Sequence, residues 1–174
     1  MVIRTAAAAD LDGVEAVYDA IHDAEESGNA VIGWIRGVYP TRATAEAALG
    51  RGDLFVLEAD GEILGTAIIN QTQVDVYAGA PWAHDVPDGN VCVLHTLVIH
   101  PAAAGKGYGG AFVRFYEDYA RQTGCEALRI DTNARNLAAR AMYRKRGYTD
   151  VAIVPTVFNG IPDVDLVLLE KYIG

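Results

Sequence analysis

Leu97-Val98-Ile99-His100-Pro101, Ala102-Ala103-Ala104 and Gly105-Lys106-Gly107-Tyr108-Gly109-Gly110 form the stretch on which the reading of this chain turns. An apolar run of strand type meets a proline. A glycine-rich turn follows and passes directly into a helical pattern, Gly107–Thr123, with Phe112, Val113, Tyr116, Tyr119 and Ala120 on its inward side. Glycines let the backbone approach a ligand closely, and a helix start offers unpaired N–H groups at the positive end of its dipole. Such a turn can cradle a diphosphate. The same glycines also suit a tight strand-to-helix turn with no ligand, so the short pattern leaves both readings open.

Working outward, Val2–Thr5 reads as an opening strand, and Asp10 as the cap of a helix whose apolar face is Leu11, Val14, Val17, Tyr18 and Ile21. Gly28–Pro40 reads as an irregular loop, and Thr41 as the cap of a short helix that stops at Gly50–Gly52. Leu54–Ala59 and Glu62–Asn70 are strands around the two-residue hairpin signal Asp60-Gly61. Residues 71–90 carry Tyr77, Gly79, Pro81, Trp82 and Pro87 and predict a long excursion before the strand Val91–Ile99. Beyond the central helix come a strand at Ala127–Thr132, a helix at Asn136–Arg146 closed by Gly147, and a final strand pair at Val151–Pro155 and Val164–Glu170. The order β-α-α-β-β-β-α-β-α-β-β is an α+β plan with a mixed sheet, in one domain spanning residues 1–174.

Composition narrows the function classes. With 51% hydrophobic and 21% charged residues the chain is an ordinary globular protein, and its apolar runs are too short to span a bilayer. No basic segment followed by an apolar one opens the chain, so a cytoplasmic setting is expected. Cys92 and Cys125 lack metal-ligand spacing and read as small buried hydrophobes in a reducing compartment. A formal charge of −9 repels a phosphate backbone, which argues against nucleic acid and mildly favours a cationic substrate.

Three phosphate-binding classes fit a glycine-rich turn. A P-loop needs Ser or Thr after its lysine, and Lys106 precedes Gly107. A dinucleotide fingerprint is met on paper by Gly105, Gly107 and Gly110 with Asp131 further on, but the insert Pro101–Ala104 parts strand from glycines, and a hairpin stands where a βαβ unit belongs. The third class carries a specific likeness. Ala104, Gly105, Lys106, Gly107, Tyr108 and Gly109 resemble the Arg/Gln-x-x-Gly-x-Gly/Ala coenzyme A loop of the GCN5-related N-acetyltransferase (GNAT) superfamily, with Ala104 departing from its Arg or Gln. Leu128–Thr132 followed by Asn136, Ala139, Tyr143, Gly147 and Tyr148 resembles the same family's strand and N-x-x-A-x-x-x-Y-x-x-x-G-F/Y block.

The resemblance implies a mixed, mostly antiparallel sheet of about seven strands flanked by helices. Its central pair, Val91–Ile99 and Ala127–Thr132, runs parallel and splays apart. It implies acetyl-CoA as co-substrate, with no metal. The pantetheine arm would lie along the backbone of Leu97, Val98 and Ile99, and the diphosphate would lie on Gly105, Lys106, Gly107, Tyr108, Gly109 and Gly110. Asn136 would bond the arm, and Tyr143 would protonate the departing thiolate. His95 occupies a place similar to a catalytic histidine of the arylalkylamine branch, and Asp131 one similar to the glutamate of the ribosomal-protein N-terminal acetyltransferases.

An alkylammonium with a pKa near ~10.4 must lose a proton before it attacks a thioester, so a base is required. His95 and Asp131 are the candidates, with a water-mediated base behind them. Strand alternation sets His95 on one face with Leu97 and Ile99. Each site residue also has a plainer role open to it: His95 as a hydrogen-bonded core residue, Asp131 as a turn cap, Tyr143 as a core aromatic. Arg140 and Arg144 could reach phosphates or lie in solvent. Tyr18, His22, Trp34, Tyr39, Trp82 and Phe158 are the candidate acceptor residues, and loop aromatics suggest a flat or apolar amine. The expected activity is acetyl transfer to a primary amine, either small, an amino acid or a peptide N-terminus, by a monomer or homodimer. A coenzyme A-binding sensor without robust catalysis is the alternative.

Overall fold

The Asp60-Gly61 turn sets the first hairpin. Both residues hold positive φ, 56° and 82°, the two-residue geometry whose twist matches paired strands. In the computed structural model, which describes residues 1–174, it joins β2 (Leu54–Ala59) to β3 (Glu62–Asn70). The other strands are β1 (Val2–Thr5), β4 (Val91–Ile99), β5 (Ala127–Asn133), β6 (Thr149–Phe158) and β7 (Ile161–Tyr172). All belong to a single seven-stranded sheet ordered β1-β2-β3-β4-β5-β7-β6. Only β4 and β5 pair in parallel. The expected mixed sheet with a parallel central pair is what forms.

Helices cover both faces. On one, α1 (Leu11–Glu26) and α2 (Arg42–Arg51) bury Val14, Val17, Tyr18, Ala45 and Ala48 against Leu54, Val56, Ile68 and Val98. On the other, α3 (Tyr108–Gln122) sets Phe112, Val113, Tyr116 and Ala120 against Phe55, Leu57, Leu94 and Leu128, and α4 (Leu137–Lys145) adds Tyr143. No helix is long and apolar enough to cross a membrane. Asp10 does not cap α1. Its carboxylate accepts from Arg4 at 2.7 and 2.8 Å and from the Ala7 amide at 2.7 Å, because a short 3-10 turn, Ala8–Asp10, precedes the helix.

The parallel pair holds for a short distance only. The register runs from Val91 opposite Ala127 to Leu94 opposite Ile130, and there it stops. At the closed end the Tyr116 hydroxyl donates to Cys92 O at 2.6 Å and lies 3.2 Å from Arg129 O, so one buried group clasps both strands. Past Leu94, β4 bulges. His95 pairs with Ile68 and Val98 with Thr66, so Ala67 alone faces Thr96 and Leu97. Thr96 takes φ 51°, a left-handed value that a β-branched residue adopts only where surrounding packing imposes it.

That bulge corrects the expected face of His95. Leu97 and Ile99 pack on the α3 side. His95 opposes Ile68, which with Val98 belongs to the α1–α2 core. One extra residue in a strand of period two reverses every side chain beyond it.

Residues 71–90 form the expected excursion, with short 3-10 turns at Asp75–Tyr77 and Asp88–Asn90. Trp82 donates from Nε1 to Tyr77 O at 3.0 Å and lies 4.1 Å from the Arg129 guanidinium, while the Ala83 amide donates to Glu170 at 3.0 Å. The buried Arg129 and Glu170 pair across β5 and β7 at 3.5 Å. These bonds hold the excursion against the face where the site forms.

Candidate active site

At the glycine-rich turn the backbone is the functional group. Pro101–Ala103 form a 3-10 turn, Gly105 holds φ 79°, and Gly107 caps α3 at φ 78°. No amide from Gly105 through Gly110 finds an acceptor within the chain, and the first to do so is Ala111, onto Gly107 O at 3.0 Å. A side chain built on Gly105 or Gly107 would enter open space. Consecutive amide donors at a helix start match the needs of a diphosphate. The residues therefore fit the group the sequence implied, with the exposed Lys106 beside them and Tyr108 turned into the α3 core.

Between this cradle and the opposite face lies the splay. Since the His100 amide donates to Leu64 O on β3, alternation aims the N–H and C=O groups of Leu97 and Ile99 the other way, into the gap that β5 leaves. Val98 is buried under α1, and its backbone turns to β3. Asn136 stands at the start of α4, where its Oδ1 accepts from the Ala139 amide at 3.1 Å. The Nδ2 of Asn136 has no partner in the chain, and the residue borders the gap.

A cavity of about 450 Å³ opens at the mouth of the splay on the α1–α2 side. Trp34, Tyr39, Phe158, Ile161, Val164 and Leu166 give it apolar walls, and Arg51 and Asp131 are the only Arg, Lys, Asp or Glu residues that line it. Trp34 and Tyr39 meet edge to face with ring centres 5.9 Å apart, and the Tyr39 hydroxyl bonds Thr96 Oγ1 at the bulge. Burial pushes the Tyr39 hydroxyl up to about 12.

Both candidate bases border this cavity. Val93 faces Arg129 in the register, so the next inward residues on that face are His95 and Asp131, one on each lip of the opening. Asp131 accepts from the Tyr77 hydroxyl at 2.8 Å, yet burial still raises its carboxyl from 3.8 to about 6. Burial drives His95 the opposite way, down to about 4, because desolvation disfavours the imidazolium. Its Nε2 lies 3.1 Å from Asn70 Oδ1. Asn70 Nδ2 donates to Asp53 at 2.8 Å, and Asp53 is paired with Arg51. Asp53 only accepts, so the amide oxygen of Asn70 must face His95, and the ring proton resides on Nε2.

Tyr143 reaches the gap from α4. Its ring packs 5.9 Å from that of Tyr148, and its hydroxyl has no hydrogen bond within the chain. Burial, and the Asp131 charge behind it, raise that hydroxyl above its ordinary value.

Other sequence candidates are placed elsewhere. Tyr18 is 2% exposed in the α1 core, and His22 is buried with Nε2 3.0 Å from Pro40 O, so neither borders the cavity. Trp82 is also outside it, spent on Arg129 and the Tyr77 carbonyl. Arg140 and Arg144 do not reach toward the cradle. Both pair with Asp150, at 2.9 Å for Arg140, because α4 lays them against β6. Sequence reasoning missed Tyr77, Asn70 and Arg51. Tyr77 was noted only as part of the 71–90 excursion, and all three depend on contacts between distant segments.

A model described as the acetyltransferase (GNAT) family matches residues 14–148. Among curated proteins, an aminoglycoside N(6')-acetyltransferase type 1 from Klebsiella aerogenes is 33% identical over 101 residues, 58% of this chain and 61% of that protein. The chain thus matches about three-fifths of that relative's length. Among solved structures, a GNAT-family acetyltransferase from Streptococcus agalactiae superposes with a TM-score of 0.80 at 20% identity, over 99% of this chain and 95% of that one. A Salmonella typhimurium protein assigned as an acetyltransferase and solved with its cofactor acetyl-CoA gives a TM-score of 0.68 at 23% identity, over 99% and 93%. At these identities the likeness is one of fold.

Proposed function

Because the chain belongs to the acetyltransferase (GNAT) family, we propose that it moves the acetyl group of acetyl-CoA onto the primary amine of a small, largely apolar acceptor. One observation carries the reading: a run of unpaired amides, Gly105–Gly110, and an aromatic-walled cavity meet at opposite sides of the same gap between β4 and β5. When bound, acetyl-CoA supplies an activated thioester. Gly105–Gly110 would hold its diphosphate, the free backbone groups of Leu97 and Ile99 would hold its arm, and Asn136 Nδ2 would donate to it. Asp131 takes the ammonium proton. Its carboxyl near 6 is ionised at neutral pH yet close enough to it for efficient transfer, whereas His95 near 4 is the weaker base. The amine nitrogen would bond to the acetyl carbon as the carbon–sulfur bond breaks; Tyr143 would give its proton to the leaving sulfur and take back the second proton that the nitrogen sheds in becoming the amide.

The aminoglycoside relative invites comparison. A polycationic aminosugar needs several carboxylates, and Asp131 is the only one lining this cavity. An acceptor with one amine and an apolar or aromatic body suits those walls better. The free, buried Cys92 and Cys125 agree with a reducing, cytoplasmic setting.

The test combines binding with turnover. Coenzyme A at about a hundred times its Kd should stabilise the protein by roughly 2.7 kcal/mol, and NAD should not. Gly107→Val should abolish the shift, since a branched residue at φ 78° is strained and fills the cradle. Thiol release from acetyl-CoA should respond to arylalkylamines. A shift with NAD alone refutes the reading. A coenzyme A shift with no thiol release across a broad amine panel leaves the sensor alternative, which Ala104 favours.

A further inference from the structure

Ala104 removes the side chain that the family places beside the diphosphate, and the chain carries a cation nearby from another element. Arg146 follows the last turn of α4, and its side chain lies against Gly110 in the first turn of α3. A Cβ on Gly110 would meet Arg146 Nη2 at 2.6 Å, Cζ at 3.5 Å and Nε at 3.6 Å. The guanidinium therefore lies along the backbone of Gly110, whose amide is one of the unpaired donors. Within a chain of net charge −9, where Arg140 and Arg144 are both taken by Asp150, Arg146 forms no ion pair and no side-chain hydrogen bond. Its bonds are those of its backbone: the amide donates to Tyr143 O at 2.9 Å and the carbonyl accepts from Lys171 Nζ at 2.8 Å.

Resting on the coenzyme A reading above, we infer that Arg146 is a diphosphate-binding residue. Reaching over Gly110 from α4, it supplies the charge that Ala104 cannot. A side chain at position 110 would push the guanidinium tip aside, and glycine leaves it in place. Gly110 is helical, with no positive φ, so the fold itself does not demand glycine there. An arginine in this place gives two parallel N–H donors to a phosphate, which a lysine cannot do.

Calorimetric titration with coenzyme A, dephospho-coenzyme A (lacking the 3'-phosphate) and acetyl-pantetheine (lacking the diphosphate, the adenosine and the 3'-phosphate) tests this. Arg146→Met should raise Kd about tenfold for the first two alike, the lower end for a charge-assisted bond at a partly exposed site, and leave acetyl-pantetheine unchanged. Gly110→Ala should fold at least as well as the parent, since alanine favours helix, yet weaken coenzyme A similarly. In the Arg146→Met background it should add little. Unchanged Kd values in Arg146→Met overturn the inference. So does a loss confined to intact coenzyme A, which would move the contact to the 3'-phosphate, or an equal loss for acetyl-pantetheine, which would make the role structural. Failure of the unsubstituted protein to bind coenzyme A overturns the function reading, and this inference with it.

Discussion

Replacing Asp131 by asparagine separates what this carboxylate costs the fold from what it does for the reaction. Its pKa rises from 3.8 to about 6 on folding, because burial outweighs the bond from Tyr77. A gap of roughly two on the pKa scale corresponds to about 3 kcal/mol. Between pH 3.8 and 6 the folded protein keeps a proton that the unfolded chain has released, so stability falls as pH rises through that window. Below it Asp131 is neutral in both states and costs nothing; above it the whole penalty applies. The asparagine side chain is isosteric and still accepts from Tyr77. The Asp131→Asn variant should therefore be the more stable protein at pH 7.5 by up to about 3 kcal/mol, or about 6–12 °C in Tm for a chain of this size. The advantage should vanish near pH 4. Urea denaturation of parent and variant across that range measures it. At pH 7.5 the same substitution should lower kcat/KM by roughly 10²–10⁴-fold, the worth of a positioned base. A variant no more stable than its parent at pH 7.5, or a difference independent of pH, would refute the argument that the carboxylate is held ionised against its surroundings.

The acid limb of kcat/KM identifies the base: a midpoint near 6 that disappears in Asp131→Asn assigns it to Asp131, and one near 4 that disappears in His95→Ala assigns it to His95. Tyr143→Phe should lower kcat while leaving the Kd for coenzyme A unchanged; an equal loss of binding would place Tyr143 in the core alone. Trp34→Ala and Phe158→Ala should raise KM for the amine, and Trp82→Ala should instead lower stability, because its ring covers Arg129 rather than the cavity. A rise in amine KM confined to Trp82→Ala would reverse that division.

Local signals made most of the fold legible. Asp60-Gly61 specified a hairpin, Gly107 a helix start and Gly147 a helix stop, and each acts through its own φ. The cradle was legible for the same reason, being made of backbone that glycine spacing controls. The acceptor side was not, because its residues are sorted by tertiary contacts that composition does not reveal. Tyr18, His22 and Trp82 belong to the same residue types as Trp34, Tyr39 and Phe158. They differ only in facing the α1 core, Pro40 and Arg129. Arg140 and Arg144 were ambiguous until Asp150, on the neighbouring strand, came within reach of both.

The bulge at Thr96 is the deepest of these hidden features, since no glycine announces it. It arises where three demands meet: Tyr116 ties β4 to β5 up to Leu94, β3 continues past that point, and β4 must leave β5 to open the gap. An extra residue bends the strand away and reverses its alternation at once. Leu97 and Ile99 are thereby sent to the α3 side, while their backbone faces the gap. His95 is left on the side of the acceptor cavity, opposite Asp131. His95 and Asp131 keep the face that Val93 and Arg129 set before the bulge, and the irregularity turns Leu97 and Ile99 away from that face. A straight β4 with perfect alternation would instead put Leu97 and Ile99 on the cavity face beside His95.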